Sequence, residues 1–209
     1  MIGISGVPGS GKTTLASAVV ARINDMVDKG SGAPHQTFAA IVPMDGYHLY
    51  RSQLASMPDA ANAIHRRGAA FTYDAGRWHQ LVKDLSLQGS QPVFAPSFDH
   101  AEKDPVENDI AITRETRVVV LEGLYLSLSR EPWSSAARLM DELWFVDGDE
   151  KTFQSRLIKR HVASGIVPDL DAARHRVTST DWLNAEDIMS HRLPVQEHLF
   201  LSNLAQPSG

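Results

Sequence analysis

A three-layer α/β fold around a mostly parallel sheet follows from three features of the sequence. Short apolar runs at residues 1–5, 37–44, 116–123 and 142–146 read as strands, and stretches of helical periodicity alternate with such runs. The run Val118-Val119-Val120-Leu121 is continuous and largely β-branched, as suits a strand buried on both faces at the centre of a parallel sheet. The first strand runs directly into a glycine-rich turn and then into a helix over residues 15–27, where Leu15, Val19, Ile23 and Val27 recur at helical spacing. Strand–helix alternation puts helices on both faces of the sheet and ligands at the carboxyl ends of the strands.

Composition sets the bounds. The chain has 209 residues, 43% hydrophobic and 22% charged, which suits a single packed domain, here expected over residues 1–209 with a small helical lid around 153–178. The absence of cysteine excludes disulfides, thiolate metal sites and cysteine nucleophiles. A formal net charge of -5 with no long basic run argues against nucleic acid as a partner. No apolar run approaches membrane-spanning length and no signal peptide precedes the first strand, so a cytoplasmic protein without membrane contact is expected.

Along the chain, residues 29–34 read as a loop and 37–44 as a strand ending at Asp45-Gly46-Tyr47-His48. Residues 51–63 are predicted as helical pieces broken at Pro58, and 65–73 as a loop. Asp74 is placed to cap a helix running to about residue 88. A strand is expected over 91–97, then Phe98-Asp99-His100 and a polar stretch to Asn108. Helices are expected over 151–164, 169–177 and 182–192, with 195–201 a strand or a helix.

The turn after the first strand fits G-x-x-x-x-G-K-[ST] at Gly6, Gly11, Lys12 and Thr13. Glycines let successive backbone N–H groups converge on one phosphate, and the positive end of the helix dipole adds to the site. Gly6, Val7, Pro8, Gly9, Ser10, Gly11, Lys12, Thr13 and Thr14 are therefore predicted to bind ATP. Lys12 is expected on the β- and γ-phosphates and the Thr13 hydroxyl on Mg²⁺. The sheet expected is therefore that of a P-loop nucleoside triphosphatase.

Further residues gather at the same edge. Asp45 follows a buried strand near the expected γ-phosphate, where a carboxylate can orient an acceptor hydroxyl and take its proton. Glu122 ends the strand Val118-Val119-Val120-Leu121-Glu122, a place for Mg²⁺ held directly or through water, or for a carboxylate with a structural partner. Arg156 and Arg160 share one helix face, which reads either as a lid closing over the transferring phosphate or as a solvated basic face; the phosphate loop favours the lid. His48 and His100 each follow a strand-end aspartate segment and are expected in the acceptor pocket, whereas His191 and His198 are expected at the surface.

These residues resemble the uridine kinase, phosphoribulokinase and bacterial-type pantothenate kinase superfamily, nearest to its fructose-transport-kinase-like and fungal uridine-kinase-like branch. The resemblance rests on the phosphate loop, on Met44-Asp45-Gly46-Tyr47-His48, on Arg66-Arg67-Gly68-Ala69-Ala70-Phe71-Thr72-Tyr73-Asp74, on Pro96-Ser97-Phe98-Asp99-His100 and on Leu121-Glu122-Gly123-Leu124-Tyr125. It implies that Asp45 is the base, that Arg67, Asp74, Phe98, His100 and Tyr125 contact the acceptor with His48, and that Arg156 and Arg160 belong to a lid. The implied reaction is γ-phosphate transfer from ATP to a hydroxyl of a nucleoside, sugar or pantothenate-like molecule. Two departures stand out: Ala70 replaces a proline common in relatives, and residues 184–201 lack an arginine-alanine-aspartate run before the final strand, which leaves the adenine contacts unassigned.

Three rival functions fit less well. A GTPase switch needs N-K-x-D, but Asn184-Ala185-Glu186-Asp187 carries alanine in place of lysine. A partner-driving ATPase usually carries an aspartate-glutamate pair where this chain has Leu121-Glu122-Gly123. A binder without turnover has no use for Lys12, Thr13 and Asp45 together. The sequence leaves open whether the chain forms a homo-oligomer.

Overall fold

The computed structural model describes residues 1–31, 38–87, 89 and 91–201. Five parallel strands form the central sheet, in the order β2 (Ala39–Pro43), β5 (Val118–Gly123), β1 (Ile2–Gly6), β6 (Glu142–Asp147) and β7 (Glu197–Phe200). Val120 and Leu121 of β5 are fully buried, as the continuous apolar run predicts.

The two faces of the sheet carry different layers. Ile4, Val120 and Val146 pack under Leu15, Ala16, Val19 and Val20 of α1 (Lys12–Ser31). The other face presents Val42, Leu121, Leu143 and Phe145 to α4 (Ala75–Ser86), α5 (Trp133–Ala137) and α8 (Trp182–His191). Trp78 of α4 is the largest fully buried side chain there; burying such an indole contributes roughly 3 kcal/mol. Among the described residues, no helix is long and apolar enough to cross a membrane.

Helices α2 (Arg51–Ala55) and α3 (Ala60–His65) flank Pro58, as predicted, and the Asp74 carboxylate accepts from Arg77 N–H as the cap of α4. Several boundaries differ from the sequence reading. Helix α1 starts at Lys12, so Lys12 and Thr13 lie in its first turn, and it runs through residues 29–31, which were expected to be loop. Residues 32–34 of that loop, and Thr37 and Gln88 at predicted element ends, lie outside the described residues. The polar stretch up to Asn108 is part of a strand: β4 (Asp104–Ile112) pairs antiparallel with β3 (Val93–Asp99) in a separate two-stranded sheet, with a bulge between Ala95 and Ser97. Residues 195–201 resolve in favour of a strand, β7.

The expected lid comprises α6 (Glu150–Ala163), α7 (Leu170–Arg176) and a π turn, Val177–Asp181, that runs into α8. Carboxylate caps start α6 and α7: Asp149 accepts from Thr152 N–H and Asp169 from Ala172 N–H.

Candidate active site

The phosphate loop is shaped by glycine at one decisive point. Gly9 has φ +79, and a Cβ there would stand 2.6 Å from the Phe153 carbonyl oxygen of α6. Only glycine combines that backbone conformation with so close an approach, so the loop lies directly on the first turns of α6. The loop then enters α1, whose first turn leaves N–H groups without intrahelical partners for an anion.

Lys12 is half-buried at this edge. Burial pushes its ammonium below the ordinary value and Arg160 pushes the same way, while Glu122 and Asp45 pull it back up. The Thr13 hydroxyl donates to Glu122 Oε2 at 3.1 Å. Burial raises the Glu122 carboxyl and Asp45 adds to the rise; Lys12 and Thr13 oppose it. One ammonium thus sits in the field of two carboxylates and one guanidinium from three other segments far apart in the chain. Thr13 and Glu122 present hard oxygen donors of the kind Mg²⁺ prefers. Among the described residues, no group of three or more His, Asp or Glu side chains is arranged to hold a metal ion. A cation here would complete its shell with water and nucleotide oxygens, the usual habit of Mg²⁺ at phosphate sites.

Asp45 lies in a 3₁₀ turn, Met44–Tyr47, immediately after β2, with its side chain 45% exposed. The next residue, Gly46, admits no side chain, since a Cβ would fall 2.1 Å from the Pro96 carbonyl oxygen. That contact seats the turn against β3. The turn is also laced to the segment before α4: Asp74 N–H donates to Tyr47 O at 2.7 Å and Leu49 N–H to Thr72 O at 2.9 Å. Across this seam the His48 ring stacks on Tyr73, ring centres 4.0 Å apart, and the Tyr73 hydroxyl donates to Asp45 Oδ1 at 3.4 Å. Burial drives the Tyr73 phenol well above its ordinary value, with Asp45 adding to the shift, so it stays a donor. Burial lowers His48 to about 4, which leaves the imidazole neutral at pH 7 although Asp45 lies 3.9 Å away.

The predicted acceptor residues divide into two groups. His48, Phe98 and His100 form a continuous wall: Phe98 lies 5.1 Å from His48 and 5.2 Å from His100, which is exposed on the hairpin turn. Arg67, Asp74 and Tyr125 are engaged elsewhere. The Arg67 guanidinium donates to Leu49 O, to Lys103 O and to Asp104 Oδ1, and lies 5.6 Å over the Phe98 ring. Asp74 is occupied in capping α4. Tyr125 is fully buried, with its hydroxyl donating to Gly68 O at 2.7 Å. All three thus have hydrogen-bond partners within the protein itself. On α6, Arg156 donates to Gly9 O at 3.5 Å, while Arg160 is exposed and its charge bears on Lys12. Tyr73 and Asn184 were not singled out as site residues by the sequence reading; nothing in a single chain marks a hydroxyl that meets a carboxylate 28 residues away.

Residues 1–165 match the Phosphoribulokinase / Uridine kinase family. The chain belongs to that family. It is accordingly a P-loop kinase that uses ATP. The chain is 64% identical over 157 residues to the ATP-dependent kinase-like protein notR' of Aspergillus versicolor, covering 74% of this chain and 91% of that one. It is 32% identical over 201 residues to the ATP-dependent kinase YFH7 of Vanderwaltozyma polyspora, covering 79% of this chain and 56% of the relative, so it spans little more than half of that protein's length. Among solved structures, YFH7 from Saccharomyces cerevisiae superposes with a TM-score of 0.87 at 24% identity, covering 96% of this chain and 92% of the other. A candidate fructose transport system kinase from Silicibacter sp. TM1040 gives 0.80 at 29% identity, covering 95% and 88%. The three-layer P-loop kinase fold expected from the sequence is the fold of this protein.

Proposed function

We propose that this kinase transfers the γ-phosphate of Mg²⁺-bound ATP to a hydroxyl of a small molecule of the nucleoside, sugar or pantothenate-like kind, with Asp45 as general base. The observation that carries this reading is the position of Asp45. It is half-exposed, held by Tyr73, backed by a neutral His48, and close enough to Lys12 and Glu122 to perturb both.

In this reading the Gly6–Thr14 loop and the first turn of α1 hold the phosphates, with Lys12 on the β- and γ-oxygens. Thr13 and Glu122 would hold Mg²⁺, which supplies neutralisation of phosphate charge when bound. The acceptor lies along His48, Phe98 and His100 with one hydroxyl against Asp45. The hydroxyl oxygen bonds to the γ-phosphorus, the bond from that phosphorus to the β,γ-bridging oxygen breaks, ADP departs, and the hydroxyl proton passes to Asp45. Arg156 and Arg160 close from the lid onto charge developing on the transferred group and exclude water.

The test is Asp45→Asn, which keeps size and most hydrogen bonds but cannot accept the proton. With the acceptor found by an ATP-consumption screen over hydroxyl compounds, phosphorylation should fall by about 10²-fold or more. Nucleotide affinity should hold and background ATP hydrolysis should fall much less. Equal losses in the two rates, or loss of ATP binding, would make Asp45 a metal or structural residue and favour an ATPase.

A further inference from the structure

Asn184, the first residue of the stretch that fails to match N-K-x-D, is buried against the segment before α4. It is 3% exposed, in the first turn of α8. Its Oδ1 accepts from Arg66 Nη2 at 2.9 Å, and its Nδ2 lies 3.7 Å from where a Cβ on Gly68 would stand. Gly68 has φ +109 and is fixed on two further sides: its N–H donates to Thr72 Oγ1 at 2.9 Å and its carbonyl accepts from Tyr125. Thr72 and Tyr73 continue directly into the seam that orients Asp45. The position of residues 66–73 is thus set partly by a side chain from α8.

That helix is not independent of the lid. It continues from the π turn Val177–Asp181, and Asp181 Oδ2 meets His161 Nε2 of α6 at 2.8 Å in a largely buried pair. His161 follows Arg160 in α6, and its carbonyl accepts from Ile166 N–H at 3.0 Å, which folds the lid turn back onto the helix. A π turn inserts an extra residue into the helical ladder, a local distortion often found at functional sites. Four polar atoms in this neighbourhood are buried without partners among the described residues: Arg176 Nε, Ser179 Oγ, Thr180 Oγ1 and His161 Nδ1. Buried polar atoms left unpaired are costly, so this arrangement is a natural place for a second one to compete.

We propose that Asn184 is a positioning residue that couples the two halves of the site: movement of α6 toward bound nucleotide is passed through His161–Asp181 and the π turn to Asn184, and from Asn184 to Arg66–Tyr73 and the Asp45 seam. Nucleotide binding thereby sets the acceptor wall before the acceptor arrives. The proposal rests on the reading of α6 as the nucleotide-side lid.

Hydrogen exchange with a non-hydrolysable Mg²⁺–ATP analogue tests it without any acceptor. In the wild type, nucleotide should slow exchange both in residues 156–167 and in residues 66–73. In Asn184→Ala the first protection should remain and the second should fall by about threefold or more, the range of measurable site-to-site coupling. Asn184→Asp keeps an oxygen for Arg66 and should restore it. If Asn184→Ala does not fold, Arg66→Ala breaks the same contact from the half-buried end of α3 and should give the same loss. Protection of residues 66–73 that survives Asn184→Ala or Arg66→Ala, or a wild-type loop indifferent to bound nucleotide, overturns the coupling while leaving the kinase reading intact. Failure of the wild type to bind the analogue overturns both.

Discussion

Thr13 Oγ1 and Glu122 Oε2 meet at 3.1 Å, joining the first turn of α1 to the end of β5 across 109 residues of sequence. Burial and Asp45 raise the Glu122 carboxyl. A carboxyl raised on folding is more costly to ionise in the native state than in the unfolded one, so it withdraws stability as pH climbs past its unfolded value near 4.5. Glu122→Gln removes that burden together with a carboxylate proposed to hold Mg²⁺. Turnover should fall by about 10²-fold and the Mg²⁺ concentration for half-maximal rate should rise, while stability at pH 7 holds or gains about 1 kcal/mol. Steady-state rates over a magnesium series and thermal unfolding check both halves; a clear loss of stability would mean that the carboxylate is there to hold the fold.

Arg156 is half-buried and donates to Gly9 O, whereas Arg160 is exposed and its charge bears on Lys12. Alanine at either should lower kcat by about tenfold or more while ATP affinity changes far less, because charge that develops in the transition state is what a guanidinium meets there. Mg²⁺–ATP should also slow tryptic cleavage over residues 156–177. Matching losses in kcat and in affinity, with cleavage unaffected, would mark a solvated helix face.

His48 gives a pH signature. Its folded value of about 4 lies below the ordinary 6.5 because burial disfavours the cation. Between those values the unfolded chain binds the proton and the native one does not, so stability declines as pH falls from 6.5 toward 4, by on the order of 3 kcal/mol at the lower end. His48→Gln should flatten that part of the curve. Denaturant unfolding of both proteins at pH 7, 5.5 and 4.5 measures it, and parallel curves would refute the assignment.

The nucleotide half of the molecule was legible because its constraints are local. A glycine loop between an apolar strand and an amphipathic helix shows in consecutive residues, and so does the Asp74 cap. The hairpin was half-missed for a physical reason: of the nine residues of β4 only Pro105 and Ile112 are buried, so the strand carries no alternation to read. Helix α5 has five residues, fewer than periodicity needs. The proposed acceptor side depends on pairings that sequence spacing does not encode. Arg67 and Tyr125 stand in segments that pointed to the acceptor, yet their polar atoms bind backbone carbonyls, and Asn184 finds Arg66 over 118 residues.

The two-stranded sheet of β3 and β4 shares no ladder with the five parallel strands. Phe98 and His100, proposed to line the acceptor site, therefore ride on a unit whose backbone ladder is its own. In the proposed reading, changes in the length or side chains of that unit leave the strands around the phosphate loop in register, so the acceptor can change while the phosphate loop stays fixed, provided that the Pro96 contact seating the Asp45 turn is kept. One scaffold of this kind can diversify its customers without re-inventing its reaction.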